Sequence, residues 1–595
     1  MPFLSHILHR LLLLVAFVLP AAMRWRLLAW PHRRAHRRQR AALLAPDETQ
    51  RETLRHIIEA NRMTEFGRAH AFDRIQDPAS FSTHVPLRSY GELEPYIERH
   101  RRGESGVLVA GGLVGFAISG GSRGRPKPVP VTPRSLDVWT RAESLLAREA
   151  MRLQPEVARG GCLHILPCYR EQTSRSTLPV APMPVLARSA GFSTGPRVGV
   201  PDQLFSITDE RLRYYLILRL SMARPVSMLR AASPGTLIIL AEYLELLGQE
   251  LLDDLASGKV RYLETLPASV RAAIPPQRPE RALVARLEHR LSQRGRLEPA
   301  DVWPRLSLLV CATTGSSLVA SNRLSDRFGN VAVMDPGYRA AEGIFTWSWR
   351  EGEGGLPILD GQYIEFLPAT DAGRARTVPI VELELGRRYT PVLTGFNGMY
   401  RYVMDDVVEV IDRRDDLPRL AMVGRARCQV RLGAGRLEEE AVSEAINAAA
   451  RSVDVTLTGY TAWLAEPPVP GEAPAERPRG WLARLLGRGP AERPQERPLV
   501  TLAVEPSTSL GADRGRKLLV AVEGELRRQS EAYDQSRREG ELDRPCLVLL
   551  RPQTLSRSRR RRLADGMSGA HAPVPILSED GWLVEHEDVE QKMQL

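Results

Sequence analysis

Ser119 to Lys127 reads SGGSRGRPK, and this stretch decides the reading of the 595-residue chain. It follows an apolar run, Leu113 to Ile118, that reads as a buried strand, and it precedes Thr132-Pro133, a cap followed by a helix-opening proline. The stretch is therefore a strand-to-turn loop. Gly120, Gly121 and Gly124 lack Cβ atoms, so the backbone can turn sharply and bring N–H groups against phosphate oxygens, while Ser119 and Ser122 add hydroxyl donors. Lys127 supplies a compact charge, and it is one of four lysines in a chain whose Lys and Arg total 82. The spacing is not the Walker pattern, which needs adjacent Gly-Lys-Ser/Thr; Pro126 and Pro128 flank the lysine here. On glycines and serines alone, a plain flexible turn stands beside the phosphate reading.

Position by position, SGGSRGRPK resembles the phosphate loop of adenylate-forming enzymes, the acyl-CoA synthetase and luciferase superfamily. Five longer stretches narrow the resemblance: TEFGRAHAF (Thr64 to Phe72), VPLRSYGELEPYIERHRRGE (Val85 to Glu104), GYRAAEG (Gly337 to Gly343), YIEFLP (Tyr363 to Pro368) and MYRYVMDDVVEV (Met399 to Val410). Taken in order, they resemble the Gretchen Hagen family of auxin-responsive acyl-acid amido synthetases in its bacterial form. The likeness runs from about Thr64 to Gly424 and thins beyond it.

The resemblance implies an α/β fold, a large adenylate-forming N-terminal domain followed by a small mobile α+β C-terminal cap. It also implies a reaction: an ATP- and magnesium-dependent ligase activates a carboxylic acid as an acyl-adenylate and passes the acyl group to an amine, that of an amino acid. Transfer to a thiol such as coenzyme A is one alternative. A membrane-attached pseudo-enzyme that binds nucleotide or acyl ligand without turnover is the other.

Adenylation needs charge neutralised on phosphorus and on the departing pyrophosphate, which Lys127 and the loop N–H groups of residues 119 to 124 would do. Glu342 occupies the place of the family's metal-associated glutamate, suited to magnesium's preference for oxygen ligands; its plainer reading is an acid favouring a helix N-terminus. Asp406 matches the ribose-binding aspartate, able to accept from two adjacent hydroxyls, and neighbouring Asp405 falls on the opposite face of a strand. Thr314 and Gly315 in CATTGSS fall where the family lines its nucleotide pocket, or they form a simple turn. Tyr338 and Arg425 complete the nucleotide-binding set by the same resemblance. Tyr400 and Tyr402 share a face with Asp406 and either stack on the base or pack, packing being the better reading. His164 and His571 have no partner readable from sequence, and lone histidines are more often structural.

Two departures from the family stand out. Arg123 occupies a loop position where the superfamily usually has a small residue. Family members also carry a C-terminal lysine ahead of a proline, whereas this chain reads GAHAPVPIL from Gly569 to Leu577. Arg559 to Arg562 are the candidate replacement, and Lys592 lies too close to the end to be an obvious one.

The chain exceeds the size at which one core stops growing, and its 43% apolar content fills two folded units. Cys162, Cys168, Cys311, Cys428 and Cys546 form no CxxC pair and are odd in number, which argues against a zinc site or a disulfide framework and for reduced, cytosolic chemistry. The net charge of +11 does not indicate a nucleic-acid partner. Eight arginines and no acid lie between Met1 and Pro46, so the excess belongs to the N-terminus. The apolar run LLLLVAFVLPAAM, Leu11 to Met23, is about 20 Å long if helical, short of the roughly 30 Å hydrocarbon core. With Arg24, Arg26 and the cluster Arg33 to Arg40 after it, residues 1 to 46 read as a membrane-associated segment on the cytoplasmic side, next to anionic lipid, with a true span or a signal or plain tail as the alternatives.

Residues 47 to 422 read as alternating helices and strands. Leu212 to Met222 and Leu237 to Leu255 are helical in period, while Leu306 to Ala312 and Val392 to Thr394 read as buried strands. Residues 423 to 595 form the cap, joined near Gly424-Arg425. It is interrupted by a solvated, Pro/Glu/Arg/Gly-rich insertion, 466 to 498, that contains GWLARLLGRG, Gly480 to Gly489, a nascent helix or a second membrane or partner contact.

Overall fold

The structure, a computed structural model, describes residues 30–119, 127–169, 176–191, 198–314, 321, 323–348, 354–369, 376–404, 406–414, 417–425, 429–432, 435–465, 497–506, 509–551, 554–555, 577–578 and 589–594. Gly120, Gly121, Ser122, Arg123, Gly124, Gly315, Asp405, Arg559 to Arg562, His571, the apolar run 11–23 and residues 466–496 lie outside them. The chain divides into two compact units that change over between residues 426 and 427.

In the first unit, the strand expected ahead of the loop runs Gly115–Ser119 and pairs antiparallel with Lys127–Val131, so Ser119 and Lys127 face each other where the hairpin opens. Thr132 then caps the helix Pro133–Leu153: its hydroxyl accepts from Ser135 N at 3.1 Å, and its own N–H donates to Ser135 Oγ at 2.9 Å. That helix buries Leu136, Trp139, Leu145 and Leu146, each fully buried apolar side chain contributing roughly 1.5–3 kcal/mol.

Four parallel strands, Gly161–Ile165, Val226–Ala231, Leu308–Val310 and Ala332–Met334, form a sheet in that spatial order. Parallel pairing needs crossover connections, and helices such as Glu210–Ser221 and Pro234–Leu246 supply them. The expected single helix from 237 to 255 is two, Pro234–Leu246 and Gly248–Ser257, parted at Leu247. A six-stranded antiparallel sheet follows, ordered Val378–Pro379, Gln362–Pro368, Arg388–Gly395, Asp406–Arg414 and Leu417–Arg425, with Tyr402–Val403 also paired to Arg388–Gly395.

Part of the segment expected ahead of the α/β domain, the stretch 33–44, packs on the first unit. The helix Arg33–Leu44 buries Gln39 and Ala42, and Gln39 Nε2 donates to Pro357 O at 2.6 Å. Arg38 pairs with Asp360, while Arg33, Arg34, Arg37 and Arg40 stay exposed. In the next helix, Pro46–Asn61, Gln50 donates to Leu359 O and Gln362 O and accepts from Ile364 N at 2.8 Å, bonding like a short strand along Gln362–Pro368.

The second unit holds a five-stranded mixed sheet ordered Leu577–Ser578, Leu457–Ala465, Leu499–Pro506, Cys546–Leu550 and Val589–Gln594, with helices Glu439–Ser452, Ala512–Gln529 and Glu531–Arg538. The α+β expectation for this region agrees. Ala465 pairs with Leu499, so the polar insertion connects two antiparallel strands. Lys592 is exposed on the strand Val589–Gln594, opposite Val548.

Candidate active site

The first unit brings three separated motifs together. Lys127 begins its strand with Nζ 5.4 Å from the centroid of the Tyr90 ring, a cation–π contact. Tyr90 belongs to the VPLRSYGELE stretch; it is 8% exposed and its hydroxyl donates to Pro128 O at 2.9 Å. Burial pushes the Tyr90 hydroxyl far up from its ordinary value, and the charges of Glu94, Glu98 and Glu342 push it further. Glu342 is thus an electrostatic neighbour of the ring that Lys127 contacts.

The GYRAAEG turn is built by its glycines. Gly337 has φ +85°, and a Cβ there would stand 2.6 Å from Thr346 O, so only glycine fits. A Cβ at Gly343 would stand 2.4 Å from Gln362 Oε1. Between them, Tyr338 N donates to Thr346 Oγ1 at 2.8 Å, Ala340 N to Gly343 O at 2.9 Å and Asn397 Nδ2 to Glu342 O at 2.9 Å. Tyr338 stacks on Phe345 with centroids 4.5 Å apart, and its hydroxyl donates to Asp406 Oδ2 at 2.6 Å. Glu342 itself is 7% exposed.

Asp406 opens the strand Asp406–Arg414 directly opposite Arg425, the last residue of its partner strand. Thr314 lies just past the C-terminal end of Leu308–Val310, at the edge of the parallel sheet where ligands of open α/β folds sit. One residue earlier, Thr313 donates from N and Oγ1 to Asp335 Oδ2, at 2.7 and 2.9 Å, and Asp335 Oδ1 accepts from Gly337 N at 2.7 Å. Asp335 therefore braces the CATTG turn against the GYRAAEG turn.

Tyr400 has no exposed surface, stacks on Phe66 at 4.6 Å and donates to Leu108 O at 2.7 Å, so it is a core residue. Tyr402 is likewise buried. His164 lies on Gly161–Ile165 in register with Arg230, and its charge acts on Glu143. Sequence reasoning missed Tyr90, Asp335 and Asn397 as site residues. Tyr90 sat in a quoted motif without a role, and the bonds of Asp335 and Asn397 span up to 55 positions, which no local pattern reports.

A sequence model of the GH3 family N-terminal domain matches residues 35–333, and one of the GH3 family central domain matches residues 355–425. The chain is 26% identical over 449 residues to the probable indole-3-acetic acid-amido synthetase GH3.12 of Oryza sativa subsp. japonica, covering 68% of this chain and 73% of that protein. It is 25% identical over 448 residues to the indole-3-acetic acid-amido synthetase GH3.10 of Arabidopsis thaliana, covering 68% and 75%. Among solved structures, the AtGH3.15 acyl acid amido synthetase in complex with 2,4-DB superposes with a TM-score of 0.76 at 18% identity, over 92% of this chain and 94% of that one. That likeness establishes the fold.

Proposed function

The chain belongs to the GH3 family, and on that premise we propose that it is an ATP-dependent ligase that activates a carboxylic acid as an acyl-adenylate and conjugates it to the amine of an amino acid. The observation that carries this reading is the bond from Tyr338 to Asp406, which ties the GYRAAEG turn to the start of the strand bearing the ribose-binding aspartate of the family.

In the reaction, a carboxylate oxygen bonds to the α-phosphorus of ATP and the bond to pyrophosphate breaks. The amine nitrogen then bonds to the acyl carbon, AMP leaves with the bridging oxygen, and the nitrogen gives up a proton. Lys127, aided by the backbone of residues 119 to 124, neutralises charge on the phosphoryl oxygens. Asp406 accepts from the ribose hydroxyls, with Tyr338 fixing its carboxylate. Thr314, Gly315 and Arg425 complete the nucleotide contacts.

Among the described residues no group of three or more His, Cys, Asp or Glu side chains could hold a metal ion. Glu342, a single carboxylate on the turn, fits magnesium that arrives on nucleotide phosphates, since that ion keeps several waters and takes one or two carboxylates. Magnesium would supply charge neutralisation between phosphate oxygens there.

We place the protein in the cytoplasm, held at the inner face of the membrane by the apolar segment ahead of the docked helix Arg33–Leu44, with that helix's exposed arginines facing the lipid. The apolar run 11–23 and the exposed Arg33, Arg34, Arg37 and Arg40 support this placement. Among the described residues no helix is long and apolar enough to cross a membrane. Sedimentation of the full chain with membranes, and its release on removal of residues 1 to 29, tests the attachment; recovery of the full chain in the soluble fraction contradicts it.

The ligase reading is tested by ATP–pyrophosphate exchange against a pooled carboxylic acid library, followed by addition of amino acids or coenzyme A to the acids that respond. Amide formation with an amino acid supports it. Binding of ATP without exchange for any acid, or transfer to thiol alone, overturns it.

A further inference from the structure

The turn that carries Tyr338 and Glu342 is held from outside by ions that the reaction does not use. Glu143, on the helix Pro133–Leu153, is 3% exposed. Its carboxylate receives both Nη atoms of Arg230, from the strand Val226–Ala231, and Nη1 of Arg339 at 2.5 Å. Arg339 also donates Nε to Pro336 O at 3.0 Å and Nη2 to Ala142 O at 3.2 Å. One buried carboxylate thus bonds two guanidiniums, each on a side chain about 15% exposed.

Asp335, the other acid whose charge acts on Arg339, bonds Thr313 and Gly337. Burial lowers the Arg339 pKa to about 10 in spite of Glu143 and Asp335, with Arg230 adding repulsion. Glu143 shows the converse: burial pushes its carboxyl up, but Arg230 and Arg339 more than offset this and hold it at about 2. The pair Glu143–Arg230 is complete in itself, so the second guanidinium is enclosed with only a share of a carboxylate, a costly arrangement.

What Arg339 gains is reach. It sits between Tyr338 and Glu342 in sequence, and its three side-chain bonds end on the helix that begins six residues after Lys127 and on the turn's own entry. We propose that Arg339 is a positioning residue for the nucleotide: it clamps the turn Gly337 to Gly343 against the helix that follows Lys127, keeping the Tyr338 hydroxyl on Asp406, and its buried charge is held at the expense of stability. This role rests on the ligase reading of the same site.

The test compares the full-length chain with Arg339→Met and Arg339→Lys. For each, the thermal unfolding midpoint without nucleotide, the affinity for a non-hydrolysable ATP analogue by calorimetry and the exchange rate are measured. Arg339→Met should unfold no earlier than wild type, yet bind the analogue at least about fivefold more weakly, with the KM for ATP in exchange raised by a similar factor. Arg339→Lys should not restore binding, because an ammonium cannot direct donors to Glu143, Ala142 and Pro336 at once. Unchanged analogue affinity in Arg339→Met overturns the proposal, and so does a large drop in midpoint alongside the weaker binding, which marks an ordinary core residue. A wild-type chain with no exchange for any acid overturns the ligase reading alone, since analogue affinity and midpoint still decide the role of Arg339.

Discussion

The hydroxyl of Tyr338 donates to Oδ2 of Asp406 at 2.6 Å across 68 positions of sequence. A ribose held by Asp406 is therefore held at second remove by the GYRAAEG turn. Tyr338→Phe removes one hydrogen bond to a carboxylate, worth about 1.5 kcal/mol, and should raise the KM for ATP by roughly tenfold with a smaller effect on kcat. Asp406→Ala should raise it further. Steady-state exchange kinetics check both, and an unchanged KM in Asp406→Ala moves the ribose contact elsewhere.

Lys127→Ala should cut carboxylate-dependent AMP formation by at least about tenfold, because one phosphate-directed charge in a closed site supplies over ~1.4 kcal/mol of transition-state stabilisation. The cation–π contact with Tyr90 aims this side chain, so Tyr90→Leu should lower the rate in the same direction by a smaller factor. Wild-type turnover in Lys127→Ala removes the phosphate-loop assignment.

Arg401, in the MYRYVMDD stretch, is a stability residue. It adopts φ +45°, forms two bonds of 3.0 Å with Glu365, and donates to Val85 O and Ser82 O while 6% exposed. Arg401→Met leaves Glu365 buried without its cation and should destabilise the fold by about 3 kcal/mol, read by urea unfolding. The KM for ATP of the folded fraction should not change.

Two histidines near these motifs make stability fall on acidification. His100 Nε2 accepts from Leu108 N at 2.9 Å, and His70 Nε2 accepts from Arg88 at 2.7 Å, so both act as neutral acceptors. Burial lowers both pKa values below the ordinary 6.5. A folded value below the unfolded one means the stabilisation is present above about pH 6.5 and is lost as pH falls below it. The unfolding midpoint should therefore drop on acidification through that region, and His100→Gln should flatten the drop. An identical pH slope in that variant contradicts the assignment.

Local chemistry was readable where it is local in the chain. The Thr132-Pro133 cap, the strand before the glycine loop and the strand across Val392 to Thr394 all follow from capping and apolar runs, and the structure has them. The joint at Leu247 was not readable, because both helices continue the same apolar period across it. The docked helix Arg33–Leu44 was hidden for a different reason: its buried contact is a glutamine in a run of arginines, which composition assigns to solvent. In the site, Lys127, Glu342 and Asp406 came from motifs. The bonds that join Asp335 to Thr313, Asn397 to Glu342 and Glu143 to Arg339 span long stretches of sequence, so only the fold reveals them.

The central claim is that a carboxylate attacks the α-phosphorus of ATP in this site. The most direct measurement uses an exchange-active acid labelled with oxygen-18 in its carboxylate, with an amino acid acceptor and mass analysis of the nucleotide product. An acyl-adenylate route places one labelled oxygen in the phosphate of AMP for each amide formed. Label found in inorganic phosphate with ADP as the nucleotide product, or absent from AMP while amide accumulates, contradicts the account.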